Sequence, residues 1–164
     1  MSLDQDTAVF RAGVIRPGSI TYNYHLVFEA EQYLGLAEIN FYLENTNFDQ
    51  LLIDFSGNIK EEVVINNKKF VPNHKDNFLT LPHGSLQKGR NRVSMTYVNT
   101  YDNDRTGCIS FKDDNLQFIY TDFEPYGCNR VFPCFDQPNL KAKMKLSVVT
   151  PMDWAAISNQ PALN

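Results

Sequence analysis

Two carboxylates, Asp122 and Glu124, sit one residue apart directly before Pro125, in a run over residues 120–138 that also holds Cys128, Arg130, Cys134 and Asp136. A carboxylate of this kind can receive an ammonium through charge-assisted hydrogen bonds, and the proline fixes the backbone that follows it. The other reactive groups are spread thinly. The three histidines, His25, His74 and His83, lack the one-turn spacing that places two imidazoles on one helix face for a metal. They read as surface or strand residues. Cys128 and Cys134 have no histidine near them in sequence and read as packed thiols, since free cysteine usually behaves as a small hydrophobe. Arg130 and Asp136 read as an internal ion pair that fixes a turn. Lys141, Lys143 and Lys145 alternate with apolar residues, a pattern that guards a strand edge against pairing and is not a nucleic-acid patch.

The elements that must position these groups have a period of two. In residues 20–28, Ile20, Tyr22, Tyr24, Leu26 and Phe28 share one side, as a half-buried strand requires. Ala37, Ile39, Phe41 and Leu43 do the same over 35–43, before Asn45-Thr46-Asn47 breaks the pattern. Residues 51–55 form a short apolar run. Asn66-Asn67 separates 62–65 from 68–71 and can take the positive φ of a two-residue hairpin turn. Further strands are expected at 78–81, at 91–98 with Val93, Met95 and Tyr97 on one face, and at 117–120. The last two fall at 141–149, with Ala142, Met144, Leu146 and Val148 opposite the lysines, and at 154–157. Residues 99–115 read as a long polar loop, and only the stretch after Pro125 looks able to form a short helix. Short strands recurring about every ten residues between Gly, Pro, Asn and Asp predict an all-β sandwich-like fold.

Composition narrows the function classes. The 164 residues fit one domain, and 43% hydrophobic and 13% aromatic content is globular. A net charge of −4 argues against nucleic acid or an anionic membrane as the main partner. No apolar run approaches the roughly 18 residues of a membrane span. The start, Met1-Ser2-Leu3-Asp4, has neither the basic region nor the apolar core of a signal peptide and can equally be a cloning scar. Three cysteines cannot all pair, which favours reduced thiols and a cytoplasmic location, although one bridge plus a free thiol stays open.

The run Tyr120-Thr121-Asp122-Phe123-Glu124-Pro125-Tyr126-Gly127-Cys128-Asn129-Arg130-Val131-Phe132-Pro133-Cys134-Phe135-Asp136-Gln137-Pro138 resembles a family signature. The family is the aminopeptidase N-type zinc metallopeptidases (gluzincins), and the signature belongs to their N-terminal domain. There a threonine-glutamine-phenylalanine-glutamate-proline run leads to arginine and then Phe-Pro-Cys-Phe-Asp-Glu-Pro. Leu140-Lys141-Ala142, Pro151, Ile157-Ser158-Asn159 and Pro161 continue the match in order. Gly107 with Phe111-Lys112-Asp113-Asp114 is most similar to the bacterial branch. Two positions depart from the pattern: Asp122 stands where many members have glutamine, and Gln137 where most have glutamate. Asp122 can alter substrate preference, bind a cation or simply point to solvent.

The resemblance implies an all-β, curved, mostly antiparallel multi-sheet domain. Residues 1–164 would form a single N-terminal β-domain of a larger peptidase, ending before its last strands. It implies that the parent releases N-terminal amino acids from peptides with one zinc, held by a His-Glu-x-x-His helix and a distant glutamate in the following catalytic domain. This chain would then hold no metal, be inactive alone and have no catalytic residue. It would bind peptide substrates with Glu124, whose carboxylate would receive the free α-amino group, and with Asp122. Its partners would be peptides and the catalytic domain of the same chain, without nucleic acid or membrane. A non-catalytic protein-interaction scaffold of the same fold is the alternative. A carbohydrate-binding β-sandwich is a third reading, and it leaves the match over 120–159 without a reason.

Overall fold

The computed structural model describes residues 3–114 and 116–163. One helix precedes twelve strands. α1 (Gln5–Val14) starts where the Asp4 carboxylate accepts from the Thr7 N–H at 2.8 Å, satisfying a donor that the first helical turn leaves free. It ends with the Ile15 N–H on the Arg11 carbonyl at 2.9 Å. Sequence reasoning placed no helix here. The buried residues of α1 are Arg11 and Val14, so the face that meets the core carries a guanidinium and hides the apolar periodicity.

The strands are β1 (Ile20–Phe28), β2 (Gln32–Leu43), β3 (Gln50–Asp54), β4 (Asn58–Ile59), β5 (Val63–Ile65), β6 (Lys68–Phe70), β7 (Asn73–Lys75), β8 (Phe78–Pro82), β9 (Gly89–Thr100), β10 (Gly107–Asp113), β11 (Leu116–Asp122) and β12 (Ala142–Val149). Seven of them form the main sheet in the order β12-β1-β2-β9-β5-β6, with β4 also on β9. β3-β8-β7 make a three-stranded sheet and β10-β11 a two-stranded ribbon. The pairings are antiparallel except β1 with β12, which is parallel. The fold is therefore all-β and mostly antiparallel, as the period-two pattern implied.

Register follows the hydrophobic alternation. Ala37, Ile39 and Phe41 of β2 and Val93, Met95 and Tyr97 of β9 all face inward and are buried. Gly35 lies directly opposite Tyr97, and a Cβ at Gly35 would collide with the Tyr97 ring. The tyrosine in turn meets Phe55, just past β3, edge-on at 4.8 Å, which joins the three-stranded sheet to the main one in a single core cluster. Asn66 and Asn67 adopt φ of 48° and 67° between β5 and β6, the left-handed pair that a tight hairpin requires.

Two expectations are corrected. Residues 99–115 are not one long loop: β9 runs on to Thr100 and β10 begins at Gly107. Ser110 and Lys112 within β10 masked its strand character. Residues 154–157 form no strand, and Met152 and Ile157 stand in solvent. β12 has the expected alternation, with Ala142, Met144, Leu146 and Val148 in register with the buried Ile20, Tyr22, Tyr24 and Leu26 of β1. Yet both faces of β12 are exposed, because no second layer covers it among the described residues. Lys143 and Lys145 lie on this edge strand. No helix among the described residues is long and apolar enough to cross a membrane.

Candidate functional site

β11 runs straight into the two carboxylates. Its last residue, Asp122, turns its Oδ1 onto the backbone N–H of Glu124 at 3.2 Å. The Gly127 N–H then reaches the Phe123 carbonyl at 2.9 Å and closes a turn over residues 123–127. A Cβ at Gly127 would press on Phe123 and Thr106, so the turn has room only for glycine. The Glu124–Pro125 peptide bond is cis. Phe123 packs inward, edge-on to Phe132 at 6.0 Å. Glu124 points outward and is exposed. Among the described residues its carboxylate has no hydrogen-bond or ion-pair partner.

Below this turn lies a buried charge pair that sequence reasoning did not find. Arg11 donates to Asp54 twice, Nη1 to Oδ2 at 2.7 Å and Nη2 to Oδ1 at 3.0 Å, with both side chains fully buried. Its Nη2 also reaches the Leu52 carbonyl at 2.9 Å. The Asp54 carboxylate accepts two more bonds, from the Tyr126 hydroxyl at 2.8 Å and the Asp136 N–H at 2.8 Å. Each oxygen thus carries two donors, which is what a buried charge needs to be tolerated. Burial and then the charge of Asp54 push the Tyr126 hydroxyl above its ordinary pKa, so it stays a donor. Tyr126 is two residues from Glu124, and the pair fixes where the turn sits.

The rest of the signature is latched to the main sheet. The Tyr24 hydroxyl donates to the Pro133 carbonyl at 2.8 Å, and the Tyr22 hydroxyl accepts from the Phe135 N–H at 2.9 Å. Burial raises both phenols, keeping them neutral. Asp54 and Cys134 exchange backbone bonds at 2.8 and 3.0 Å. Gln137 donates its amide to the Ala8 carbonyl in α1 at 2.9 Å and to Asn139 Oδ1 at 2.7 Å. Both partners accept, a role that suits an amide where an ionised carboxylate has no proton to give.

Arg130 and Asp136 do not pair. Asp136 instead accepts from Asn129, at 3.0 Å from the N–H and 2.9 Å from the side-chain amide. Arg130 reaches the other way, to Asp104 at 2.6 Å, Asp102 at 3.4 Å and the Thr106 carbonyl at 3.2 Å. It ties the connection between β9 and β10 to the signature, because two acidic residues there outcompete one that is already capped. Arg130→Ala is expected to speed amide hydrogen exchange in residues 101–106 while leaving the amides of β2 and β9 unchanged. Unaltered exchange would show that the Asp102 N–H on the Cys108 carbonyl and the Cys108 N–H on the Asp102 carboxylate suffice. Arg130 holds the Asp104 carboxyl below its ordinary pKa. The tie is therefore complete above the usual carboxylate range and fades as pH falls through the lowered value.

The histidines lie apart. His25 is on β1, His74 on β7 bonded to the Phe55 carbonyl at 2.6 Å, and His83 against the Phe48 carbonyl at 2.8 Å. Among the described residues no three His, Cys, Asp or Glu side chains converge where a metal ion could sit, so this donor set does not fit zinc.

The Peptidase M1 N-terminal domain family model matches residues 19–164. Aminopeptidase N of Streptomyces lividans is 37% identical over 89 residues, covering 53% of this chain and 10% of that protein. Aminopeptidase M1-D of Oryza sativa is 32% identical over 85 residues, covering 49% of this chain and 10% of that protein. Glutamyl aminopeptidase of Rattus norvegicus is 46% identical over 41 residues, covering 25% of this chain and 4% of that protein. The matched region spans a tenth or less of these relatives. With the family model covering the sheet, the ribbon and the whole signature, the chain belongs to the Peptidase M1 N-terminal domain family.

Proposed function

We propose that this chain is the substrate-amine-binding β-domain of a zinc aminopeptidase that removes N-terminal residues from peptides in the cytoplasm. In this reading Glu124 is the amine anchor, and the zinc and the groups that cleave the peptide belong to a catalytic domain of the same parent chain. The observation that carries the reading is the exposed carboxylate of Glu124, without a partner among the described residues, on a turn that Asp122, Tyr126 and Asp54 hold in place. A positioned carboxylate can accept from an ammonium, each such bond contributing about 1.5–3 kcal/mol when water is excluded. Fixing the amine fixes the distance to the first peptide bond, which is how positioning accelerates an exopeptidase. Asp122 has two roles here. Its Oδ1 sets the Glu124 backbone, and its second oxygen can add charge for the same ammonium.

The test compares this chain with its full-length parent, using metal analysis and an aminoacyl chromogenic substrate. The 164-residue chain is expected to retain no stoichiometric zinc and to show no turnover, and the parent to show both. Turnover with one zinc per chain in the short form would overturn the assignment of roles. So would a parent that binds zinc but cannot cleave unblocked peptides.

A further inference from the structure

Cys128 and Cys134 stand six residues apart, and the chain between them curls. The Cys128 carbonyl accepts from the N–H groups of Val131 at 3.0 Å and Phe132 at 2.9 Å, and the Asp54 backbone then pins Cys134 from below. The curl brings both cysteines to the wall of one groove of about 310 Å³, together with Tyr22, Tyr24, Pro138 and Met144. The groove is open at the β12 edge, where Met144 is 57% exposed. Cys128 is half-buried, whereas Cys134 is 3% exposed and sits in the wall of the groove. Cys108 is fully buried and lines no part of it. All three are free thiols.

The geometry points to a thiol–disulfide exchange site at Cys128 and Cys134, taking a low-molecular-weight disulfide such as glutathione disulfide and ending as an intramolecular bridge. In the first step the Cys128 thiolate, having released its proton to solvent, attacks one sulfur of the external disulfide. The S–S bond breaks, a mixed disulfide forms on Cys128, and the departing thiolate takes up a proton. In the second step Cys134 loses its proton to solvent and attacks Cys128 Sγ. The protein disulfide forms, and the second external thiolate leaves and is protonated. Two protein thiols are oxidised and one external disulfide is reduced to two thiols.

The order follows from access and acidity. Cys128 is the more exposed sulfur and meets the oxidant first. The Cys134 thiol is pushed well above its ordinary pKa, first by the neighbouring Cys128 thiol and then by burial. It therefore resolves the mixed disulfide instead of starting it. The resolving step should therefore quicken as pH rises.

The experiment treats the folded chain with glutathione disulfide over a range of ratios to glutathione, quenches by alkylation and maps the peptides by mass. The expected product lacks two hydrogens, joins Cys128 to Cys134, and leaves Cys108 alkylated only after denaturation. Cys134→Ser should stop at the mixed disulfide on Cys128, and Cys128→Ser should give neither species. A wild-type chain that keeps the mixed disulfide at every ratio and pH would overturn the proposal. So would one that stays fully reduced in excess oxidant, or that forms the bridge only when unfolded. The wild-type map decides by itself if a serine variant fails to fold.

Discussion

Replacing Glu124 by glutamine in the full-length parent is expected to lower kcat/KM for unblocked peptides by roughly ten- to a hundred-fold, since each 1.4 kcal/mol is a factor of ten. The substitution keeps the shape of the side chain and removes its charge, so what is lost is the charge-assisted part of the amine contact. If the ammonium is held equally in ground and transition states, most of the loss appears in KM. Asp122→Asn should do less, because an asparagine Oδ1 still accepts from the Glu124 N–H. Asp122→Ala removes that bond and should fall between the two. A peptide with an acetylated N-terminus is the control, and its inhibition constant should hardly change in the Glu124 variant. Steady-state kinetics on the wild type and the three variants make the measurement. An unchanged kcat/KM in Glu124→Gln would return this residue to the status of a loop acid.

The largest stability effect is expected at the pair beneath it. Arg11→Met leaves the Asp54 carboxylate buried without its cation, and Asp54→Asn leaves the Arg11 guanidinium without its anion. Breaking a buried pair from one side costs about 3–5 kcal/mol. For a chain of this size that corresponds to a fall in Tm of roughly 6–20 °C. The exposed pair Arg16–Glu44, with N···O at 2.6 Å, supplies the comparison. Solvent screens it, so Arg16→Met should leave the melting curve nearly where it was. Thermal and urea unfolding of the three variants would show the contrast. Equal, small losses at Arg11 and Arg16 would mean that water reaches the buried pair.

The elements that alternate between turn residues were legible because alternation and burial are the same fact seen from two sides. The strands near 20–28, 35–43 and 91–98 and the Asn66–Asn67 turn all follow from it. α1 was not legible, since its fully buried residue is Arg11 and a charge scores against burial until its partner is known. β10 was hidden by polar residues on a strand whose outer positions face water. At the site, Glu124 and Asp122 stood out through the residues around them, whereas Arg11 and Asp54 did not. One cue was present: Asp54 interrupts the apolar run over 51–55, a position where an unpaired carboxylate would be costly. Nothing local identified Arg11 as its partner, because that pairing spans 43 residues. The Arg130–Asp136 expectation failed for a related reason, as closeness in sequence was taken for closeness in space.

The four donors on Asp54 also bear on how the molecule comes together in time. They come from positions 43, 72 and 82 residues away along the chain. Contacts of this range are closed late in folding, after the entropy of long loops has been met, and they raise the contact order of the whole domain. During synthesis, Arg11 and Asp54 emerge well before Tyr126 and Asp136, so the carboxylate cannot complete its shell until the signature has left the ribosome. The turn that presents Glu124 is therefore set only in a chain whose helix, three-stranded sheet and signature have already met. A partly folded chain would carry the same glutamate in sequence without holding it in place.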